Sequence, residues 1–302
     1  LIAKTVLLAR AAYFLRSVNI HLGKRLVRCG YEVVNVSRRP PPGHLSWGRL
    51  EEEGLPERTR AVVNLAGRQL MDFTTTWAKL KPEVENSRIN TTAALSRAVD
   101  CSSEKPGVFV LVTGVGAYLP SPHTRYHEGS PTPGRDFFSR LCERWERAAT
   151  VQPPCRLVII RSGAVLGRAG GMLRSMSLPF SLGLGGRVGD GSQYLPWIHL
   201  EDLSRLVQFS IENEQVSGVL NGVAPQHITN QEFTNALARA LNRPALLPLP
   251  ASLLEVLLGE ERASLLTRGQ HVIPRRVLEL GFQYLHGDIQ DACRHLVSST
   301  DS

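Results

Sequence analysis

The residues with the clearest chemistry in this 302-residue chain are Ser37 and Arg38, which follow the apolar run Val33-Val34-Asn35-Val36. A guanidinium fork beside a hydroxyl suits a phosphate group, which arginine can grip through two parallel hydrogen bonds. Further on, Asn64-Leu65-Ala66-Gly67 ends a second apolar run on small residues, where backbone can lie close against a flat ligand. Thr113 closes the run Val108–Val112 with a hydroxyl, and Tyr118 follows five residues later with a phenol able to hand over a proton. His199 has the side chain whose ordinary titration lies near neutrality, but it directly precedes a helix carrying Asp202, which favours a structural hydrogen bond. The five cysteines are scattered, odd in number and never spaced C-x-x-C. That fits reduced thiols, not a disulfide framework or a zinc site, and no metal site is expected.

The elements that must hold these groups can be read from periodicity. Leu22, Leu26 and Cys29 recur at helical intervals, and Gly30 is a natural helix stop. A buried second strand then runs to a basic tip at Arg39, and Pro40-Pro41-Pro42-Gly43 forces a loop. Helix, turn, strand and basic tip make up the second half of a dinucleotide-binding βαβ unit, in which an arginine at the tip suits a 2′-phosphate and so NADP. The glycine turn such a unit needs upstream is missing, because residues 5–20 contain no glycine. Apolar runs at 61–67, 108–114 and 157–161, with helical residues around 79–99, predict a doubly wound parallel sheet of Rossmann-like α/β type. Residues 1–167 are expected to form the NADP-binding domain, with 1–19 anomalous. Residues 168–245 carry the remaining sheet elements and a glycine-rich substrate loop, including a capping box Thr229-x-x-Glu232. From 246 to 302 a small C-terminal substrate lobe follows.

The net charge of +8 raises the question of nucleic acid, but six of the basic residues lie within 1–31, where there is no acid. No basic stripe interleaved with aromatics remains elsewhere, which argues against nucleic-acid binding. No apolar run approaches the ~20 residues of a membrane span, and no membrane partner is expected. Reduced cysteines point to an intracellular setting. Residues 1–8 read either as the first strand or, being Arg-containing and acid-free with the residues that follow, as part of an organellar leader. The cytoplasm is the expected compartment, with the mitochondrion as the alternative.

Ser37-Arg38-Arg39, Asn64-Leu65-Ala66-Gly67, Ser87-Arg88, Val112-Thr113-Gly114-Val115, Arg161-Ser162-Gly163-x-Val165-Leu166-Gly167 and Pro196-Trp197-Ile198-His199-x-x-Asp202 occur in that order. Together they resemble the epimerase-like, extended short-chain dehydrogenase/reductase superfamily, and within it the 39U member 1 type. The tail, from Leu257-Leu258-Gly259-Glu260 through Gly269-Gln270-x-Val272-Ile273-Pro274 to Gly281-Phe282-Gln283-Tyr284, is similar to that family's C-terminal domain. The resemblance covers about residues 20–297 and fails over 1–19, where Ala12, Tyr13, Phe14, Arg16 and Asn19 stand in place of glycines or small residues. It implies that Ser37, Arg38, Leu65, Ala66, Gly67, Glu83 and Arg88 reach the cofactor.

The same resemblance exposes a departure in the catalytic apparatus. Reductases of this superfamily pair a Ser or Thr with a Tyr-x-x-x-Lys helix, whose lysine lowers the tyrosine pKa. Thr113 fills the hydroxyl position. The helix reads Asp136-Phe137-Phe138-Ser139-Arg140-Leu141-Cys142-Glu143-Arg144-Trp145-Glu146, which puts Phe138 at the tyrosine and Cys142 at the lysine. Tyr118 is then the best substitute acid, or else a packed loop aromatic. Asp136 reads as a helix cap and Cys142 as core. The chain is expected to be an NADP-dependent oxidoreductase or epimerase-like enzyme acting on a small carbonyl, alcohol or sugar-like substrate. The alternative is a non-catalytic NADP-binding or scaffold protein with a reductase fold. Leu-rich helical residues such as 93–99 fit either a homodimer interface or the core.

Overall fold

The structure, a computed structural model, describes residues 4–9, 16–72, 74–168 and 171–298. It begins with β1 (Lys4–Ala9), α1 (Arg16–Arg28), β2 (Tyr31–Ser37), β3 (Leu45–Ser46), α2 (Trp47–Glu53), β4 (Thr59–Asn64), α3 (Trp77–Cys101) and β5 (Val108–Gly114). There follow β6 (Ser121–Tyr126), α4 (Phe137–Arg147), β7 (Arg156–Ser162), β8 (Ala164–Gly167), α5 (Gly171–Ser181), β9 (Trp197–His199), α6 (Leu200–Glu212) and β10 (Gly218–Gly222). The tail contains α7 (Asn230–Leu241), α8 (Ala251–Leu258), α9 (Glu260–Thr267), β11 (Gln270–Val272), α10 (Arg275–Glu279) and α11 (Ile289–Ser298).

Seven strands form one sheet in the order β10-β7-β5-β4-β1-β2-β3, every neighbouring pair parallel. The central strands are apolar throughout because both faces are covered, and side chains alternate between the two cores. Val6 and Leu8, Ala61 and Val63, Val108, Val110 and Val112, and Val158 and Ile160 point to one core, where Leu22, Leu26, Leu203 and Leu206 of α1 and α6 meet them. Leu7, Val62, Phe109, Leu111 and Ile159 point the other way, against Leu50, Leu95, Val99 and Trp145 of α2, α3 and α4. This is the doubly wound Rossmann-like arrangement. Its strand order reverses between β1 and β4, so the crevice beyond their carboxyl ends is the place for a ligand.

Local signals agree with the elements formed. Gly30, at φ +83°, ends α1 in a conformation that side chains resist. Asp136 caps α4 by accepting from the Ser139 amide at 2.7 Å, and Thr229 and Glu232 form the capping box of α7. The second strand stops at Ser37, two residues short of the expected tip, and Arg38 begins the turn. β1 occupies Lys4–Ala9, so these residues are the first strand of the sheet. Ala12, Tyr13 and Phe14, on which the question of the glycine turn rests, lie outside the described residues. Leu95, Ala98 and Val99 are buried in the core, and none of the exposed large apolar side chains lies on α3 or α4.

The tail packs onto this frame at several points. Val277 and Phe282 join the core under α1 and α6. Ile289, Ala292, Cys293 and Leu296 of α11 pack with Phe233 and Leu237 of α7. A small cluster of Val188, Leu254, Leu258 and Ala263 unites α8 and α9 with the glycine-rich loop, and Met71 packs against it.

Candidate active site

At the carboxyl end of β2 the Ser37 hydroxyl is buried and has no hydrogen-bond partner among the described residues. A buried unpaired hydroxyl carries a cost of about 1–3 kcal/mol unless a ligand satisfies it. Arg38 beside it is exposed, and no carboxylate pairs with it among the described residues. The loop that follows folds back onto the strand, where the Asn35 amide donates to His44 Nδ1 at 3.1 Å. An arginine that no described carboxylate pairs, one residue on from an orphaned hydroxyl, fits a phosphate on the ribose of a dinucleotide.

Across the switch point, the small-residue turn is held from below. Asn64 Oδ1 accepts from the Ala66 amide at 2.9 Å, and Asn64 Nδ2 donates to Thr92 Oγ1 at 2.8 Å. Thr92 Oγ1 also accepts from Trp145 Nε1 at 2.9 Å and donates to the Arg88 carbonyl at 2.7 Å. The Leu65 amide meanwhile donates to the Ala9 carbonyl at 3.1 Å, joining the turn to β1. The motif Asn64–Gly67 therefore presents backbone to the crevice because Asn64, fully buried, takes over the hydrogen bonds that a turn leaves open.

Arg88 lies directly behind Gly67, where an added Cβ would come within 3.1 Å of its Cζ. Its Nη1 donates to the Val84 carbonyl at 3.1 Å, and its Cζ lies 5.2 Å from the centre of the Trp145 ring. No carboxylate pairs with it among the described residues, and burial lowers its pKa to about 10. A positive charge thus stands under the wall of the crevice. Glu83 is placed differently. Its side chain is 57% exposed and sits 3.3 Å from Arg68 Nε, while Arg68 also binds Asp72 at 2.7 Å. Glu83 steadies the loop after Gly67 from its outer side.

At the end of β5, Thr113 Oγ1 donates to Glu146 Oε1 at 3.1 Å. Glu146 in turn receives both Nε and Nη2 of Arg161, at 2.9 and 2.7 Å. Arg161 Nη1 reaches the Tyr118 hydroxyl at 3.1 Å, and that hydroxyl lies 2.8 Å from Asn221 Oδ1 and 3.1 Å from the His127 carbonyl. The result is one continuous network through β5, α4, β7 and β10. Burial depresses the Arg161 guanidinium, but the two-pronged Glu146 contact more than offsets it, so its pKa ends above the ordinary value.

Tyr118 is 0% exposed, stacks on Tyr126 with ring centres 5.0 Å apart, and burial raises its pKa. A phenol with no solvent access and three polar neighbours has no open side for a substrate. On α4, Phe138 and Cys142 are both buried one turn apart, where a proton-donating tyrosine and its lysine would stand. Cys142 Sγ contacts the Gly114 carbonyl at 3.7 Å, and burial together with Glu146 pushes its thiol up to about 12, so it is core and not a nucleophile. Glu146, Asn221 and the role of Arg161 were not legible as site residues. The one available signal was an arginine directly after the buried run Leu157–Ile160, which requires a carboxylate nearby.

His199 caps α6, its Nδ1 accepting from the Glu201 amide at 3.1 Å. The neutral ring therefore carries its proton on Nε2, which lies 3.3 Å from His295 Nδ1. His286 lies tilted against it, with ring centres 3.8 Å apart, and contacts Glu201 at 3.2 Å. The three histidines are near enough to hold a metal ion, their ligand atoms lying within 4.8 Å of one another. The proton on His199 Nε2 opposes that use, because ligation there would require the ring to lose its last proton. Burial first, then the neighbouring imidazoles, lower the His199 pKa to about 3.

The tail reaches the same loop. Glu261 accepts from Trp77 Nε1 at 2.6 Å and from Lys81 Nζ at 2.9 Å. Arg262, 6% exposed, donates to the Leu258 carbonyl at 2.9 Å and to the Asp72 carbonyl at 3.1 Å.

Comparison with known proteins adds four findings. Residues 249–296 match a family profile described as a domain of unknown function, DUF1731. The bovine epimerase family protein SDR39U1 is 44% identical over 272 residues, covering 89% of this chain and 92% of its own. Among solved structures, the human epimerase family protein SDR39U1 (isoform 2) with NADPH superposes with a TM-score of 0.94 at 41% identity, covering 98% of this chain and 100% of its own. A nucleoside-diphosphate sugar epimerase from Corynebacterium glutamicum superposes with a TM-score of 0.76 at 26% identity, covering 98% of this chain and 58% of its own.

Proposed function

The chain belongs to the SDR39U1 epimerase family, and on that premise we propose that it is an NADP-dependent oxidoreductase or epimerase-like enzyme for a small carbonyl, alcohol or sugar-like substrate. The observation that carries this reading is the orphaned Ser37 hydroxyl beside the unpaired Arg38. The NADPH in the human relative supports it. Ser37 and Arg38 would hold the 2′-phosphate, and Leu65, Ala66 and Gly67 would line the adenosine side of the crevice. Arg88 contributes positive charge from behind Gly67, and Glu83 acts through Arg68 on the same loop. When bound, the nicotinamide supplies or accepts a hydride.

Thr113 is the catalytic hydroxyl in this reading. Its proton is directed at Glu146, which leaves its oxygen lone pairs to accept a hydrogen bond from a substrate hydroxyl. Glu146 and Arg161 are positioning residues, and Tyr118 fixes Arg161 from the other side. The second reading, a cofactor-binding protein without turnover, is favoured by Phe138 and Cys142 standing where a Tyr/Lys pair would act. Calorimetric titration with NADPH and NADH, followed by turnover of carbonyl and alcohol panels, separates them. Selective NADPH binding with substrate-dependent hydride transfer supports the enzyme. Binding without transfer supports the second reading, and no binding of either nucleotide refutes both.

A further inference from the structure

Two stretches of the chain leave large apolar side chains in solvent, and the fold joins them. Leu182 and Leu184 follow α5 at 64% and 56% exposure, and Leu246 and Val256, before and on α8, reach 81% and 82%. The stretches are stitched by backbone hydrogen bonds, Leu247 N to the Gly185 carbonyl at 3.2 Å and Leu249 N to the Arg187 carbonyl at 2.8 Å. On α8, Leu254 and Leu258 turn inward to Val188 and Ala263, so the stripe Leu253, Val256 and Leu257 is not needed by the core. Patches of this kind on a protein surface mark an interaction site.

Charge around the patch identifies what it meets. An open groove of about 540 Å³ runs along the end of α7, with Ala238, Pro244 and Leu246 as its apolar lining and Arg239 and Arg243 as its cations. Arg239 reaches only Gln290 Oε1, at 3.5 Å, and no carboxylate pairs with Arg243 among the described residues. The sequence holds no Asp or Glu between Arg147 and Gly189, and none between Phe233 and Leu254. Of the acids that flank these stretches in sequence, Asp190 accepts from Ser192 at 2.9 Å and Glu255 is exposed on α8, while Asp291 of α11 pairs with Arg294. A self-matched contact between two copies would set these two arginines against a stretch, 234–259, whose one acid is Glu255. An anionic surface relieves them.

We propose that this face docks peripherally on a bilayer containing acidic phospholipid. Arg239 and Arg243 lie at the headgroups, and Leu246, Leu247, Val256 and Leu257 enter the acyl boundary. No described helix is long and apolar enough to cross a membrane, so the contact is with one leaflet.

The test is sedimentation of the full chain with phosphatidylcholine vesicles, with and without phosphatidylserine. The wild type should pellet with the serine-containing vesicles and remain largely in solution with the neutral ones. Arg239→Glu with Arg243→Glu should weaken binding by roughly 25-fold or more, taking about fivefold per arginine. Val256→Asp with Leu257→Asp should weaken it on both vesicle types without lowering the melting temperature. Recovery of the wild type in the supernatant overturns the proposal, as does binding that neither pair of substitutions changes. Displacement by inorganic phosphate at constant ionic strength would overturn it in favour of a phosphate site. A concentration-dependent dimer that Val256→Asp dissolves, without vesicle binding, would assign the face to a second copy.

Discussion

Arg161 grips Glu146 through two parallel hydrogen bonds, and both side chains are nearly buried, at 6% and 13% exposure. Each charge is held out of water by the other. Glu146→Ala should therefore destabilise the fold by about 3–5 kcal/mol, the usual consequence of stranding a buried charge. Adding Arg161→Met should restore much of the loss. Urea unfolding of the single and double variants checks this, and a single-variant loss below about 1 kcal/mol would show the pair to be solvated.

Tyr118→Phe separates a structural phenol from a catalytic one. Removing the hydroxyl leaves Arg161 Nη1 and Asn221 Oδ1 each short of a partner, at an expected cost of about 1–3 kcal/mol. NADPH affinity should not change. Unaltered stability with abolished turnover would return Tyr118 to the role of proton donor.

Nucleotide preference should follow Ser37 and Arg38. Arg38→Ala should weaken NADPH by roughly 10- to 100-fold, the range for a hydrogen bond to a charged group, and Ser37→Ala by less. NADH should bind each variant as it binds the wild type, since it lacks the 2′-phosphate. Calorimetry with both nucleotides reads the difference directly. An equal loss for both would place these residues elsewhere in the site.

Stability should fall in mild acid. The His199 pKa is about 3 in the folded chain against an ordinary 6.5, so between these values the unfolded chain binds a proton that the folded chain refuses. The stabilisation is complete above pH 6.5 and declines as pH falls, by about 2 kcal/mol at pH 5 for this one group. His21, His227 and His271, also lowered by burial, add in the same direction. His199→Asn keeps an acceptor for the Glu201 amide and removes the titration. The urea midpoint of this variant should drop less between pH 7 and pH 5 than that of the wild type, and parallel profiles would refute the assignment.

Most of the sheet could be read in advance because its strands are buried on both faces and appear as uninterrupted apolar runs, as at Val108–Val112. Caps at Asp136 and Thr229 were legible for a similar reason, being local hydrogen bonds between residues three apart. The Thr113–Glu146–Arg161–Tyr118 network was not. Its members come from separate elements, and only the assembled sheet brings them together. Tyr118 stood out as a candidate acid by chemical type and nearness in sequence to Thr113. Its complete burial depends on Tyr126 and β10, which no local pattern announces. Glu83 and Arg88 occupy one helix, yet one faces solvent and the other lies under Gly67.

One guanidinium, that of Arg262, holds the last turn of α8 through the Leu258 carbonyl and the loop beyond Gly67 through the Asp72 carbonyl. Arg262 therefore ties the last turn of α8 to the loop beyond Gly67, alongside Met71, which packs from that loop onto the α8–α9 cluster. A shift at either end is felt at Arg262 and at these neighbouring contacts. By thermodynamic reciprocity, whatever the exposed face gains from an occupied crevice, the crevice gains equally from an occupied face.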